Sequence, residues 1–238
     1  MMSIGIIGAM SEEVSGLISL LTNVRQVEYA GLTFYQGKLI QKPVVIVQCG
    51  VGKVNAAMCT QLLIDHFAIK AVINTGVAGG IDPLIEIGDV VISQAALQHD
   101  FDTTVFGYKP GIIPSLKQSV FSAEAKLQEL AIKAAKNTVE QHRVHLGLIV
   151  SGDQFISDAE DKQYLFKTFN ALCAEMEGAA VAHVASLNQV PFVIIRIISD
   201  KADNTAPDDF NEFVLKIIPD LNQIVTEITT NYSVRSDR

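Results

Sequence analysis

The sequence predicts an α/β fold, a single domain with a central mixed β-sheet flanked by α-helices. Three observations predict it. Short apolar runs rich in β-branched residues recur along the chain and mostly stop at Gly or Asp, as strands buried on both faces do. Segments with apolar residues at helical spacing lie between those runs. No linker, repeat or low-complexity stretch divides the 238 residues, a length that one α/β domain accommodates. Residues 1–230 are therefore expected to form the domain, and 231–238 ("NYSVRSDR") a flexible C-terminal tail.

In chain order the strands are read at "SIGIIGAM" (3–10), "PVVIVQCG" (43–50), "KAVINTG" (70–76), "DVVISQAA" (89–96), "HLGLIVSGD" (145–153) and "VPFVIIRIISD" (190–200). The stretch "LTFYQGKLI" (32–40) reads as an exposed or edge strand, antiparallel to the run after Pro43. Val14, Leu17, Ile18 and Leu21 fall at i, i+3, i+4 and i+7, the apolar stripe of a helix. Residues 53–67 and 121–136 have the same character. Phe210, Phe213, Val214, Ile217, Leu221, Ile224 and Ile228 keep helical spacing near the C-terminus, with Pro219 expected to kink or divide that element. Residues 98–120 hold turn residues and aromatics without a period, and so long a loop in a compact domain is usually functional.

A formal net charge of −8 leaves no surplus of Lys and Arg to replace the counterions of a nucleic acid, which excludes that class of partner. No apolar run approaches the length of a membrane span, and "MMSIGIIGAMSEE" lacks the basic start of a signal peptide. Cys49, Cys59 and Cys173 are odd in number and lack metal-ligand spacing. They are read as small apolar fillers in a reducing compartment, so a cytoplasmic location is expected.

In open α/β sheets ligands sit beyond the carboxyl ends of strands, and those ends collect polar residues here. Ser11, Glu12 and Glu13 follow the first strand; "TGVAGG" (75–80), "GDQFI" (152–156), "AEMEGAA" (174–180) and "SDKAD" (199–203) lie at later ends. Each has a plain structural reading. Glu12 and Glu13 suit the N-terminus of a helix, the glycines a tight turn, and Asp153 and Asp200 a turn or cap. Glu175 and Glu177 resist it, because they stand among alanines, where an ionised carboxylate needs a partner. In a strand the two would share one face.

His142 and His145 form an HxxH pair without a third ligand, which favours a surface reading over a metal site. His66 and His99 carry no constellation, and His183 reads as packing or a surface contact on an alanine-rich helix. "GVGKV" (50–54) lacks the spacing of a P-loop, and "GIIGAM" (5–10) lacks G-x-G-x-x-G, which leaves a nicotinamide enzyme a weak alternative.

Together, "IGIIGAMSEEV", "NTGVAGGI", "SGDQFI", "AEMEGAAVAHV" and "RIISDKAD" occur in an order and spacing that resembles the bacterial 5′-methylthioadenosine/S-adenosylhomocysteine nucleosidases. These belong to the purine nucleoside phosphorylase superfamily, and the resemblance runs from residue 3 to about residue 228. It implies a nucleoside phosphorylase-like fold and a homodimer acting on small adenine nucleosides. The implied reaction is hydrolysis of the N-glycosidic bond to adenine and a thioribose, without metal or cofactor.

The same resemblance implies the residue roles. Glu13 is the base that activates water, and Asp200 the acid that protonates adenine at N7. Such an acid needs a pKa raised by burial, and Lys201 beside it would oppose this unless an extended chain turns it to the other face. Glu177 binds the ribose hydroxyls with the Met176 backbone nearby, and Glu175 supports it. Arg196 organises water and carboxylates below the ribose. Phe155 stacks on adenine, backbone groups of Ile156 read its edge, and Ser199 helps to place Asp200. Met10, Val51 and Phe210 line an apolar slot for the 5′-thioether, which Phe106 and Pro114 of the 98–120 loop complete from the neighbouring subunit. Many members carry Ser where this chain has Val77, so a hydroxyl contact made there elsewhere is missing; it is read as tuning of substrate preference.

Two rival readings differ in class. A phosphate-dependent purine nucleoside phosphorylase needs a cationic cradle, whereas Arg196 is the only arginine at these motifs and Glu13 stands where phosphate would be repelled. A non-catalytic nucleoside-binding protein of the same fold needs stacking and hydroxyl contacts, but not Glu13 and Asp200 as well.

Overall fold

The computed structural model describes residues 3–140, 143–204 and 206–233. Its spine is β5 (Ile69–Gly80), which pairs with three other strands. On one side β1 (Ser3–Gly8) is parallel to β5 and to β4 (Lys42–Gln48), and antiparallel β3 (Leu32–Leu39) and β2 (Thr22–Tyr29) complete that wing. On the other side β5 runs parallel to β10 (Phe192–Asp200), while Gly79 and Gly80 also pair with β9 (Cys173–Glu175). β6 (Val90–Gln98) is antiparallel to β10 and parallel to β8 (Val144–Ser151), and β8 is parallel to β9. The path β5–β10–β6–β8–β9 thus returns to β5 and closes on itself, with β7 (Val120–Ser122) paired to β6.

Strand side chains alternate between two helical layers. Ile4, Ile6, Ile73, Val193 and Ile195 face a cluster with α1 (Ser11–Ser19), α3 (Ala125–Thr138) and α6 (Ala206–Asn231). Ile7, Val45, Val72 and Ile194 face the opposite cluster, with α2 (Lys53–His66) and α5 (Gly178–Leu187). Burial on both faces is why these strands read as continuous apolar runs. α4 (Ala159–Phe169) covers a smaller cluster through Leu165. All three cysteines are free and buried.

Several elements differ from the reading of the sequence. β3 is antiparallel to β4 as expected, but it is not an edge; β2, polar and largely exposed, covers its other side. The expected helix at 121–136 starts only at Ala125, because Phe121 is buried in β7. "TGVAGG" is not a turn but the end of β5. α6 continues undivided through Pro219, with Ile217, Ile218, Leu221 and Ile224 buried on either side of it. That apolar stripe holds the helix together where the missing N–H weakens it. α4 was not legible from apolar spacing; Asp158 starts it by accepting from the amides of Glu160 and Asp161. Of the expected tail, Asn231 ends α6 and Tyr232 is buried, while residues 234–238 lie outside the described residues.

Helix α2 approaches β1 so closely that a Cβ on Gly5 would lie 2.4 Å from Leu63 Cδ2. Gly5→Val is therefore expected to destabilise the fold by about 1–3 kcal/mol, as overpacking does, in urea unfolding. An unchanged midpoint would mean that α2 yields without cost.

Candidate active site

A cavity of about 210 Å³ lies beyond the carboxyl ends of β1, β5 and β10 and takes in the turn from β9 to α5. Of the residues singled out in the sequence, Met10, Glu13, Val51, Val77, Phe155, Ile156, Met176, Glu177, Ser199, Asp200 and Phe210 all line it. So do Glu175, read from the sequence as the support of Glu177, and Gln154, Ala9, Ala78, Gly79 and Ala174. The last five lie inside quoted motifs but gave no chemical signal of their own. Among the lining residues there is no Lys or Arg.

Glu13 stands in the first turn of α1, as its helix-start reading required, and is buried. Its Oε2 accepts from the amides of Ala9 (2.7 Å) and Met10 (2.9 Å), and its Oε1 from that of Val77 (3.1 Å). The carboxylate therefore both caps its helix and bridges β1 to β5. A Cβ at residue 76 would meet Oε1 at 2.5 Å, so Gly76 is what allows the approach. Burial raises the Glu13 pKa, against the opposing pull of Arg196 and the three amides.

Glu175 and Glu177 do not share a strand face. Glu175 ends β9, and Glu177 is the residue on which α5 begins, so the chain turns between them. Glu175 Oε2 accepts from the amides of Glu177 (3.1 Å) and Gly178 (2.7 Å) and from Arg196 Nη2 (2.5 Å), while the Ser151 hydroxyl donates to Oε1. Arg196 is fully enclosed in β10 and does not line the cavity; its Nη2 also donates to Asn74 Oδ1 at 2.6 Å. It stands behind Glu175 and holds it, rather than opening toward a ligand. Glu177 Oε1 accepts from the Gly52 amide at 2.7 Å, and its Oε2 has no protein donor among the described residues. Burial, then the neighbouring Glu175, raises the Glu177 pKa to about 7.

Asp200 ends β10, with Ser199 Oγ donating to Oδ2 (2.8 Å) and the Ala202 amide to Oδ1 (2.9 Å). Burial raises its pKa. A Cβ on Gly79 would fall 2.8 Å from Oδ1, so this glycine too makes room for a carboxyl. Lys201 does point away, donating to the Ile85 carbonyl at 2.6 Å and pairing with Glu86 at 2.8 Å. Phe155, half exposed, meets Phe210 edge-on with centroids 6.0 Å apart.

Phe106 and Pro114 do not line this chain's cavity; Phe106 is 76% exposed on a single 3-10 turn, Thr104–Phe106. His145 binds Asp89 at 2.9 Å, and His142 lies outside the described residues. His183 stacks on Phe121 with centroids 4.6 Å apart. Among the described residues no group of three or more His, Cys, Asp or Glu is placed to hold a metal ion, and no helix is long and apolar enough to cross a membrane.

The family model of the phosphorylase superfamily matches residues 3–230. The chain is 43% identical over 215 residues to the 5′-methylthioadenosine/S-adenosylhomocysteine nucleosidase of Tolumonas auensis, covering 90% of this chain and 92% of that one. It superposes with a TM-score of 0.91 on the nucleosidase of the same name from Neisseria meningitidis in complex with methylthio-immucillin-A, at 39% identity and covering 97% and 99% of the two chains. The Colwellia psychrerythraea nucleosidase in complex with adenine gives a TM-score of 0.88 at 40% identity, over 96% of this chain and 95% of that one.

The raised pKa of Glu177 links stability to pH. Its folded value lies above its ordinary 4.5, so its stabilising contribution is complete below pH 4.5 and is lost as pH rises through about 7. Glu177→Gln does not titrate. Its stability relative to the parent chain is therefore expected to increase between those pH values, by up to about 3 kcal/mol. Denaturant melts of both proteins at pH 4.5, 6 and 8 measure the difference, and one independent of pH contradicts this.

Proposed function

The chain belongs to the 5′-methylthioadenosine/S-adenosylhomocysteine nucleosidases of the phosphorylase superfamily, and we propose how its cavity performs their reaction. It is an N-glycosyl hydrolase that releases adenine and the thioribose from 5′-methylthioadenosine and S-adenosylhomocysteine. One observation carries the mechanistic reading: Glu13, Glu177 and Asp200 line a single cavity, and all three have pKa values raised by burial.

Asp200 in its protonated form donates to adenine N7 as the C1′–N9 bond breaks, and the bonding electron pair leaves with a neutral adenine. Positive charge develops on the ribose, which the Glu13 carboxylate stabilises while it takes a proton from the water attacking C1′. Glu177 accepts from the ribose 2′ and 3′ hydroxyls, with the Met176 backbone beside it. At the end of the turnover Glu13 holds the proton it gained and Asp200 lacks the one it gave, and exchange with solvent restores both. Ser199 orients Asp200. Phe155 supplies the stacking face for adenine and Ile156 the edge contacts. Arg196 acts from behind, through Glu175.

Met10, Val51 and Phe210 form the apolar wall for the 5′-thioether, and Val77 removes a hydroxyl from the ribose side. Phe106 and Pro114 project on the 98–120 segment, and we assign them to the 5′ slot of the second copy in a homodimer. The exposure of Phe106 supports this, because an aromatic so placed gains by burial against a partner. Three free thiols support a reducing, cytoplasmic location. Phosphorolysis is disfavoured, because among the described residues the guanidinium behind the cavity, that of Arg196, is already bound by Glu175 and Asn74.

The direct test is product analysis with methylthioadenosine, S-adenosylhomocysteine and adenosine, with and without phosphate. Free thioribose in both conditions is expected, with adenosine much slower; a phosphate-dependent sugar 1-phosphate would overturn the role of Glu13. Glu13→Gln and Asp200→Asn are each expected to lower kcat by about 10²–10⁴, the range for general acid–base groups, while nucleoside binding persists. Turnover unchanged in both variants would sink the mechanism.

A further inference from the structure

Two segments that contribute to the cavity, at Val51 and at residues 154–156, are tied to each other and to the end of β6 just outside it by a closed ring of contacts. The Lys53 amide, the first of α2, donates to Asp153 Oδ1 at 2.7 Å. The Asp153 amide donates to Asp100 Oδ2 at 3.0 Å. Asp100 Oδ1 in turn binds Lys53 Nζ at 2.5 Å, and Gln98 Oε1 lies 3.3 Å from the same ammonium. Asp153 itself is exposed and does not line the cavity.

The neighbouring amide carries the consequence. Gly52 and Lys53 are consecutive, and their N–H groups bind two carboxylates from different parts of the chain: Glu177 at 2.7 Å and Asp153 at 2.7 Å. Gly52 has φ +100, a conformation that side chains disfavour, and a Cβ there would lie 3.2 Å from Asp153 Oδ1. The turn and the Asp153 carboxylate are therefore packed against each other. Val51, which lines the cavity, precedes this turn. Negative charge at the start of α2 is further favoured by the helix dipole.

We infer that Asp153 is a positioning residue for the reaction: by holding the Lys53 amide it fixes the turn at Gly52, whose amide orients Glu177. The inference rests on the reading of Glu177 as the ligand of the ribose hydroxyls. Without the Asp153 acceptor, the 50–53 turn loses the contact that sets its direction, the Gly52 N–H no longer faces Glu177 steadily, and the ribose is gripped less well. The chemistry of Glu13 and Asp200 on the far walls is untouched, so KM moves and kcat does not.

The test is steady-state kinetics with methylthioadenosine on Asp153→Ala, Asp153→Asn, Glu177→Ala and the double variant Asp153→Ala/Glu177→Ala, each checked for folding by thermal melt. Asp153→Ala is expected to raise KM about fivefold, the size of one lost capping hydrogen bond, with kcat within about twofold of the parent. Asp153→Asn retains the acceptor oxygen and is expected to restore KM. In the double variant the Asp153 effect on kcat/KM is expected to vanish, because there is no carboxylate left to orient. A parental KM in Asp153→Ala, or an undiminished effect in the Glu177→Ala background, overturns the inference while leaving the Glu177 reading intact. A parental KM in Glu177→Ala overturns that reading, and the inference with it.

Discussion

Arg196 lies in the middle of β10 with 2% of its surface exposed, where a guanidinium lacking partners would be strongly destabilising. Glu175 and Asn74 supply those partners, one from the end of β9 and one from β5. The pair thereby links three strands at the floor of the cavity. Glu175 does more than neutralise a charge. Its other acceptor sites are filled by Ser151 and by the amides of Glu177 and Gly178, so the turn into α5 is folded onto the carboxylate. The backbone of Glu177 is fixed there, while its carboxylate is held by the Gly52 amide.

The same arrangement sets the electrostatic character of the site. One fixed cation, Arg196, acts on Glu13, Glu175 and Glu177, and it is already paired. With Glu13 ionised and no Lys or Arg among the lining residues, the cavity suits the cationic ribose proposed for the reaction and disfavours an anionic nucleophile such as phosphate. Geometry reinforces this, because Gly76 and Gly79 let Glu13 and Asp200 approach the backbone of β5, where any side chain would collide with them. Glycine in a strand is otherwise a weakness, and here it is the condition for placing two carboxyls at one strand end.

The legible parts of the sequence were those that are buried and periodic. Strands enclosed by two helical layers announced themselves as apolar runs, and the strand ends held nine of the predicted site residues that do line the cavity; Val51 and Phe210 came only from the family resemblance. β2 escaped because an exposed edge strand has no apolar face to display, and α4 because one buried leucine sets no period. The glycines of "TGVAGG" were misread for a physical reason: a turn and a close approach both call for a missing Cβ, and only the three-dimensional neighbour distinguishes them. Glu175 and Glu177 were marked as unusual by their alanine surroundings, but their relation to each other depends on where β9 stops, which spacing does not define.

Helix capping and the building of the cavity are not alternatives in this protein. The starts of α1, α2 and α5 hold Glu13, Glu177 and Glu175 through backbone amides, so the groups that satisfy helix ends are also those that orient the site. Burial raises the pKa of both Glu13 and Asp200, and the other groups around them differ. Glu13 accepts three amides and faces Arg196, all of which favour its ionised form. Asp200 accepts one amide and one hydroxyl and looks toward Asp203 and Asp209, which disfavour its ionised form. Two carboxyls in such different surroundings suit the roles of base and acid proposed for them, and the buried Arg196 acts on Glu13 in the direction that a base requires.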